Sequence, residues 1–181
     1  PRERPLLAID NGGILNAYSA MTGDLVSLFF AWGASTVAAT TTSYCVVYVG
    51  GDVVCRGRGP YGELGDGALG TATNHTVGVR PTVNQVTSLV GGAWHYCALR
   101  RDRTVWCWGS NGEGQIGADL PNSFLAPSQV AISDVVQIAS GQRHTCALKG
   151  DGTVWCWRWN EAGQLGDGTN ITRFAPVRVQ L

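Results

Sequence analysis

The sequence predicts an all-β protein made of propeller-type blades. Three pairs of cysteines, each pair ten positions apart, recur at an interval of about 50 residues, a repeat length typical of propeller blades. The chain contains 25 glycines and 7 tryptophans but a single methionine, a composition that favours strands and turns over long helices. At this interval the chain holds about three and a half blades, so we expect a partial or atypical ring.

Residues 1–35 precede the cysteine repeat and are predicted to form an atypical N-terminal blade or a cap. Within them, the segment from Leu6 to Val26 is similar to a quinoprotein-like propeller unit, in which two strands end in a Thr-Gly hairpin. A largely apolar run from Leu25 to Ala34 is too short to cross a bilayer as a helix. We expect a buried strand here. The alternative, the core of an internal signal peptide starting at Met21, is disfavoured by Asp24.

Three repeats of one domain follow, at residues 36–85, 86–133 and 134–181. In each, a short apolar segment leads into a strand with the first cysteine, then a turn, then a strand with the second cysteine. The turn from Lys149 to Gly152 is a strong hairpin signal. A polar, glycine-rich excursion and a last extended segment complete the repeat, which predicts four short strands in each blade.

The first of these repeats departs from the pattern of the other two and is predicted to be a degenerate copy. Ser43 stands at the position of two histidines, Thr40 at that of a glycine, and Arg56 at that of two tryptophans. The two histidines are His95 and His144. Because they recur at one position of the repeat, we expect them to have a structural role in their blades.

The cysteine spacing predicts one disulfide within each repeat. Residues ten apart around a short turn lie opposite each other on antiparallel strands, at a separation that a disulfide can bridge. Zinc binding is a weaker alternative because zinc sites favour closer pairs, and free buried cysteines in a cytosolic protein would need three coincidental opposed pairs. Disulfides indicate an extracellular or cell-envelope location. The predicted pairs are Cys45 with Cys55, Cys97 with Cys107, and Cys146 with Cys156.

Two segments resemble the regulator of chromosome condensation repeat, and in particular its disulfide-bearing form in secreted and cell-envelope proteins. The clearest runs from Val136 to Trp157 and continues into Gly163-Gln-Leu-Gly-Asp-Gly-Thr169; the second runs from Gly92 to Gly109. The resemblance covers about residues 36 to 181 and implies a β-propeller. It does not assign an activity, because the family includes nucleotide exchange factors, receptor ectodomains and protein inhibitors.

An arc of this length leaves blade faces and strand edges open, and such surfaces favour association. We therefore expect the partner to be another protein or further propeller blades, with self-association through open edges as another route. The 13 basic and 13 acidic residues balance, and no basic stripe follows the repeat, which disfavours nucleic acid.

No catalytic motif stands out from the repeat. Acidic residues such as Asp66 and Asp167 recur in step with glycines and are interpreted as turn residues. We expect no enzyme activity, no metal and no cofactor. The predicted function is a non-catalytic protein-binding module that displays loops on a rigid scaffold. Two alternatives stay open: a guanine-nucleotide exchange factor, as some members of the resembled family are, and a purely structural segment of a larger receptor or adhesin.

Unit-specific side chains are the candidates for a binding surface. Trp94 and Trp159 are aromatic residues at strand ends that have no counterpart in the other repeats. A basic cluster in the hairpin turn of the second repeat adds Arg100, Arg101 and Arg103, which could also be a solvated turn. The tryptophans that flank the second cysteines are instead predicted to pack between blades. They are Trp106, Trp108, Trp155 and Trp157.

Two Asn-x-Thr patterns are acceptor sites for N-glycosylation if the source is eukaryotic and the chain is secreted. They begin at Asn74 and Asn170. In that case both asparagines would lie in exposed loops.

Overall fold

The structure is a computed structural model that describes residues 6–11, 15–18, 25–29, 33–68, 75–112 and 123–180. These residues contain fifteen strands and no helix. The strands form four antiparallel sheets that follow one another along the chain. The predicted all-β fold is therefore confirmed.

The N-terminal sheet contains three described strands, paired in the order β1-β2-β3. Residues 25–29 of the apolar run that begins at Leu25 form the third of them, as expected for a strand, whereas residues 30–32 lie outside the described residues. The strands are β1 (Leu6–Ile9), β2 (Leu15–Tyr18) and β3 (Leu25–Phe29).

Each of the three cysteine-bearing sheets has four strands, which is the predicted number for a blade. The first blade consists of β4 (Ala34–Ala39), β5 (Ser43–Tyr48), β6 (Val53–Gly57) and β7 (His75–Val79). The second blade consists of β8 (Val86–Gly91), β9 (His95–Arg100), β10 (Val105–Ser110) and β11 (Ser123–Gln129). The third blade consists of β12 (Val135–Ser140), β13 (His144–Lys149), β14 (Val154–Arg158) and β15 (Arg173–Arg178).

The blades are stacked so that their first strands, β4, β8 and β12, lie side by side. A backbone hydrogen bond joins each central hairpin to the start of the next blade. The Val86 N–H donates to the Gly51 carbonyl at 3.0 Å, and the Val135 N–H donates to the Arg103 carbonyl at 3.1 Å. At Gly51, φ is 91° and an added Cβ would lie 2.6 Å from the Val86 nitrogen, so only glycine allows this approach.

The two cysteines of each blade face each other across its central strand pair and form a disulfide. Their Cα atoms are 4.0 to 4.1 Å apart in all three blades. In the register of the sheets, each first cysteine is the direct partner of the second. The bonds are Cys45–Cys55, Cys97–Cys107 and Cys146–Cys156.

Tryptophans on the opposite side of the second cysteine strand complete the packing between blades. Trp108 and Trp157 are fully buried, as predicted for residues between blades. Trp106 and Trp155 differ from that prediction because they are only half-buried and each donates its ring N–H to the threonine two residues earlier. A cationic side chain lies over each of these two rings, from Arg100 and Lys149 respectively.

The second disulfide should contribute more to stability than the third. The double variant Cys97→Ala/Cys107→Ala is expected to lower the free energy of unfolding by about 3 kcal/mol from chain entropy alone, with a further loss because the sulfurs are fully buried. The variant Cys146→Ala/Cys156→Ala should lose the first contribution but less of the second, because Cys146 is partly exposed although Cys156 is buried. Urea unfolding followed by tryptophan fluorescence measures both, and equal losses would contradict this account.

Candidate interaction surfaces

Each blade has a forward face, which carries its disulfide, and a rear face, which in the second and third blades carries the tryptophan after the second cysteine. The forward face of one blade packs on the rear face of the next. Between the first and second blades, Cys45 and Cys55 pack with Leu89, Ala98 and Trp108. Between the second and third blades the equivalent residues are Cys97, Cys107, Ile138, Ala147 and Trp157. Each covered disulfide therefore lies between two sheets and packs against apolar side chains of the next blade.

A buried polar contact crosses the interface between the second and third blades. The His95 ring is fully buried, and its Nε2 lies 3.1 Å from Thr145 Oγ1 and 3.2 Å from Ser140 Oγ. Thr145 Oγ1 also lies 3.7 Å from Cys97 Sγ. The position two before the first cysteine of one blade thus contacts the position one before the first cysteine of the next blade.

The same two positions meet between the first and second blades, but their sizes are reversed. Ser43 replaces the histidine, and its Oγ is hydrogen-bonded to the hydroxyl of the fully buried Tyr96 at 3.1 Å. Thr40 completes the contact, with its Oγ1 2.8 Å from Ser43 Oγ. A small serine thus meets a large tyrosine here, whereas a large histidine meets a small threonine at the following interface.

The glycine of the repeat is part of this arrangement. A Cβ at Gly92 would overlap the His95 ring, and a Cβ at Gly141 would overlap the His144 ring, so a histidine at this position requires a glycine three residues earlier. The first repeat has no histidine and carries Thr40 there instead. The small Ser43 and the Thr40 of the first repeat therefore fit the large Tyr96 of the following blade. We call the first repeat compensated because these departures from the pattern are matched by that tyrosine.

Burial determines the charge state of these groups. Desolvation, with smaller contributions from the nearby Arg158 and His144, lowers the pKa of His95 to about 3. Burial also raises the pKa of Tyr96 well above its ordinary value. At neutral pH the His95 imidazole and the Tyr96 phenol are therefore both neutral. The Arg158 guanidinium near His95 is a buried charge, and its presence favours the neutral imidazole.

Two of the predicted binding residues, Trp94 and Trp159, lie at one edge of the stack, in the loops that lead into β9 and out of β14. The Trp94 ring meets Tyr61 of the first blade edge-on, with 5.5 Å between ring centroids. The guanidinium of Arg143 lies 5.7 Å above the Trp159 ring. We call Tyr61, Trp94, Arg143 and Trp159 the aromatic rim. Both tryptophans are half-buried, whereas Tyr61 and Arg143 are exposed.

The predicted basic cluster lies at the opposite edge, in the hairpin turn between β9 and β10. Arg100 donates to the Asn84 carbonyl and side chain and lies 2.9 Å from Asp102, while Arg103 is 2.7 Å from Asp134. Arg101 is exposed, and its backbone N–H donates to the Gln85 carbonyl. Two of the three arginines therefore tie the turn to neighbouring loops, and the five predicted binding residues do not form one surface.

The acidic residues of the polar excursions form turns where the structure describes them. Asp167 accepts hydrogen bonds from Thr169 and Arg173, which lower its pKa to about 2. Glu63 is fully buried, accepts the Tyr61 N–H at 2.8 Å, and has a pKa raised by that burial. Gln164 makes the equivalent bond to the Ala162 N–H. Among the described residues, no group of three or more His, Cys, Asp or Glu side chains is placed to hold a metal ion.

The described residues include one of the two asparagines of the predicted glycosylation patterns. Asn170 is exposed, in the loop before β15. Asn74 lies outside the described residues. In the part of the chain that the structure covers, no helix has the length and apolar character needed to cross a membrane.

Comparison with protein families is decisive for the repeat. Two models described as the regulator of chromosome condensation (RCC1) repeat match the chain, one over residues 86–115 and 135–164, the other over residues 102–148 and 151–181. Together they cover more than half of the sequence. The chain belongs to the RCC1 repeat family. The compensated first repeat lies outside these matches, although its sheet has the same four strands.

Relatives and solved structures agree with this assignment. The guanine nucleotide exchange factor SRM1 of Saccharomyces cerevisiae is 36% identical over 80 residues, which are 40% of this chain and 16% of that protein. The crystal structure of Prp20p from the same yeast matches with a TM-score of 0.85 and 15% identity, over 100% of this chain and 51% of that one. The ectodomain of the receptor kinase CR4 from Physcomitrella patens matches with a TM-score of 0.51 and 19% identity, over 93% and 45%.

The family models show the family, and the solved structures show the fold. This chain spans about half the length of the solved RCC1-type structure, and the matched segment is a small part of the exchange factor. The second and third blades are therefore RCC1 repeats.

Replacing the His95–Thr145 pair by the serine–tyrosine combination of the preceding interface tests whether the side-chain sizes at the two positions depend on each other. His95→Ser removes a buried ring and Thr145→Tyr overfills the site, so each alone is expected to cost about 2 kcal/mol or more in unfolding free energy. The double variant reproduces the Ser43–Tyr96 combination and should recover at least half of the summed loss. Urea unfolding of the four proteins gives the coupling energy. Strictly additive losses would show that the two positions are independent.

Acid should destabilise the protein through His95. The pKa of His95 is about 3 in the folded protein and 6.5 is its ordinary value. Between these two pH values the unfolded chain therefore binds a proton at His95 that the folded chain does not bind. The contribution of neutral His95 to the free energy of unfolding is fully present above pH 6.5. It decreases as the pH falls toward 3, by up to about 1.4 kcal/mol per pH unit. Unfolding free energies between pH 4 and 7 measure the slope. The His95→Ser/Thr145→Tyr variant should have a smaller slope, and an unchanged slope would exclude His95 as its source.

Proposed function

We propose that this chain is a non-catalytic protein-binding module of an extracellular or cell-envelope protein, and that it binds through the aromatic rim. The observation that carries the proposal is the pair of ring contacts on that rim, Tyr61 with Trp94 and Arg143 with Trp159. Each contact holds an aromatic side chain in place before any partner arrives.

Preordered aromatic side chains are suited to recognition. Tryptophan, tyrosine and arginine contribute most of the binding energy in many protein interfaces. A ring already packed against a neighbour loses little conformational freedom on association, so more of its contact energy is available for affinity. Tyr61 keeps 47% of its surface exposed, and Trp94 beside it is half-buried. The rim thus offers apolar area on a scaffold braced by the two covered disulfides.

The extracellular or envelope setting is supported by the disulfides. All six cysteines are paired, and such bonds persist in oxidising compartments. A structural relative of this fold, the CR4 receptor kinase of Physcomitrella patens, carries it in an ectodomain. For this protein the location is a proposal.

A guanine-nucleotide exchange factor is the second candidate. The observation that favours it is the 36% identity with SRM1, which is named as such a factor. The yeast Prp20p structure is described together with binding to Gsp1p and histones. Release of labelled GDP from purified Gsp1p separates the candidates: the binding-module proposal predicts the same rate with and without this chain, and acceleration would favour the exchange factor.

Removing the rim tryptophans should abolish partner binding without unfolding the protein. We expect Trp94→Ala/Trp159→Ala to retain at least tenfold less of a specific protein from an envelope or secreted fraction of the source organism, an effect of the size seen for hot-spot residues (~1.4 kcal/mol or more). Arg101→Ala is the matched control, because Arg101 is exposed at the opposite edge. Thermal melting confirms folding of each variant.

Three outcomes would contradict the rim proposal. Equal retention by the wild type and the tryptophan variant would exclude the rim as the binding surface. Loss with Arg101→Ala alone would move the surface to the hairpin turn of the second blade. If no protein is retained by any variant, the purely structural alternative replaces the binding module.

A further inference from the structure

Glu63 is a buried carboxyl group next to the aromatic rim, two residues after Tyr61. Its side chain has no exposed surface. The Oε2 atom accepts the Tyr61 N–H at 2.8 Å, whereas Oε1 has no hydrogen-bond partner among the described residues. A buried oxygen without a partner costs free energy, and the cost is largest when the group is charged. The site therefore accommodates a neutral carboxyl group better than a carboxylate.

The loop of residues 59–65 connects this carboxyl group to the rim and to the second blade. The Trp108 ring N–H donates to the Glu63 carbonyl at 2.9 Å, and the Leu64 side chain is buried in the core between the first and second blades. The Tyr61 ring meets Trp94 edge-on. The bond from the Tyr61 N–H to Glu63 thus closes the turn that places the Tyr61 ring on the rim.

Within the described part of the chain, no positive charge offsets the burial of Glu63. Burial raises the pKa of Glu63, and hydrogen bonds from its own backbone and from the Tyr61 backbone offset that rise only in part. The groups that act on this pKa include no arginine, lysine or histidine of the described residues. Glu63 therefore holds its proton more tightly in the folded protein than it would in water.

The described residues of the second blade that pack around Glu63 are uncharged at neutral pH. Burial is the main cause of the raised pKa of Tyr96, and the nearby Glu63 adds a smaller electrostatic contribution. The β11 residues against the loop are the apolar Phe124 and Leu125. The other acidic residue of the loop, Asp66, is partly exposed and accepts a backbone N–H two residues later. Titration inside this contact therefore belongs to Glu63.

The equivalent position of the other two repeats carries glutamine. Gln164 makes the same bond, because it accepts the Ala162 N–H at 3.0 Å, and its side chain is partly exposed. Gln115 lies outside the described residues. Glutamine has the shape of glutamic acid but no titratable proton, so the turn requires an acceptor and not an acid. The first repeat thus adds a buried ionisable group where the turn does not need one.

We propose that Glu63 makes the aromatic rim pH-dependent: neutral Glu63 holds Tyr61 against Trp94, and loss of its proton opens the loop of residues 59–65 and separates the two rings. Opening the loop lets water solvate the carboxylate, which the closed site does not. As a means of regulating binding, this inference rests on the rim proposal, whereas the opening of the loop itself does not.

The burial of Glu63 determines the sign of the pH dependence. In the open loop the carboxyl group meets water and has its ordinary pKa of 4.5, and in the closed loop its pKa is higher. The closed loop is therefore fully stable below pH 4.5 and loses stability as the pH rises toward the folded pKa. The direction is opposite to that of His95, which destabilises the protein as the pH falls.

Amide hydrogen exchange of the full chain, without any partner, tests the opening. After correction for the intrinsic exchange rate, the opening constant of the Tyr61 amide should rise by up to about tenfold for each pH unit above about 4.5 and then level off. The nuclear Overhauser effect between the Tyr61 and Trp94 rings should weaken over the same range. The Ala162 amide, which is bonded to the neutral Gln164, is the internal control and should not follow this change.

Two variants separate the charge from the shape of the side chain. Glu63→Gln keeps an acceptor for the Tyr61 N–H and removes the charge, so the pH-dependent opening of the Tyr61 amide should disappear. Gln164→Glu places a carboxyl group at the partly exposed site, where water solvates it, so the Ala162 amide should respond to pH much less than the wild-type Tyr61 amide. If the rim binds a partner, retention by the wild type should fall with rising pH, and retention by Glu63→Gln should not.

Two results would overturn the inference. One is an opening constant of the Tyr61 amide that does not change between about pH 4.5 and 8 in the wild type, a measurement that needs no variant. The other is the same rise in Glu63→Gln as in the wild type. If no variant retains a partner, the rim proposal fails while the exchange data still decide whether Glu63 opens the loop, so the two proposals can fail separately.

Discussion

Packing of one blade's disulfide-bearing face against the rear face of the next is the interaction on which the rest of the structure depends. A single four-stranded sheet of this size cannot bury a core of its own, and repeat units gain their stability largely from their neighbours. Here the sulfurs of Cys45–Cys55 and Cys97–Cys107 have no exposed surface, because a following sheet covers them. The bond within a blade thus contributes apolar surface to the contact between blades. The same contact between blades fixes the positions of the hairpins, the rim loops and the buried polar pairs relative to one another.

The two interfaces between blades have similar apolar residues and differ in their buried polar pairs. An apolar contact between identical repeats would allow any blade to pack on any other. The combinations Ser43–Tyr96 and His95–Thr145 fill similar space in opposite ways, and the Tyr96 hydroxyl and the His95 Nε2 each have a partner across the interface. Buried polar groups without partners are costly, so a wrong order of blades loses both packing and hydrogen bonds. We infer that these pairs contribute to the order of the blades.

Much of the fold could be predicted from the sequence because the repeat is periodic. The cysteine spacing predicts opposed strand positions, and Cys97 and Cys107 are direct partners in the sheet. The meaning of Ser43 could not be predicted by aligning the repeats, since its partner Tyr96 is 53 residues away, in the next unit. An alignment compares equivalent positions, whereas the compensation joins different positions of successive units. The surface was predictable only in part: Trp94 and Arg101 are seven residues apart in the chain but lie at opposite ends of one strand.

Native-state hydrogen exchange of the amides that join successive blades tests the central claim most directly. The Val86 and Val135 N–H groups each donate to a carbonyl in the hairpin of the preceding blade, so these hydrogen bonds cross the interface between blades. If the interfaces hold the blades as one unit, both amides exchange with the same free energy of opening as the central strand amides of Cys97 and Cys107. If Val86 and Val135 exchange with a much lower free energy of opening while the central strands stay protected, each blade is stable without its neighbours. That result would contradict the account.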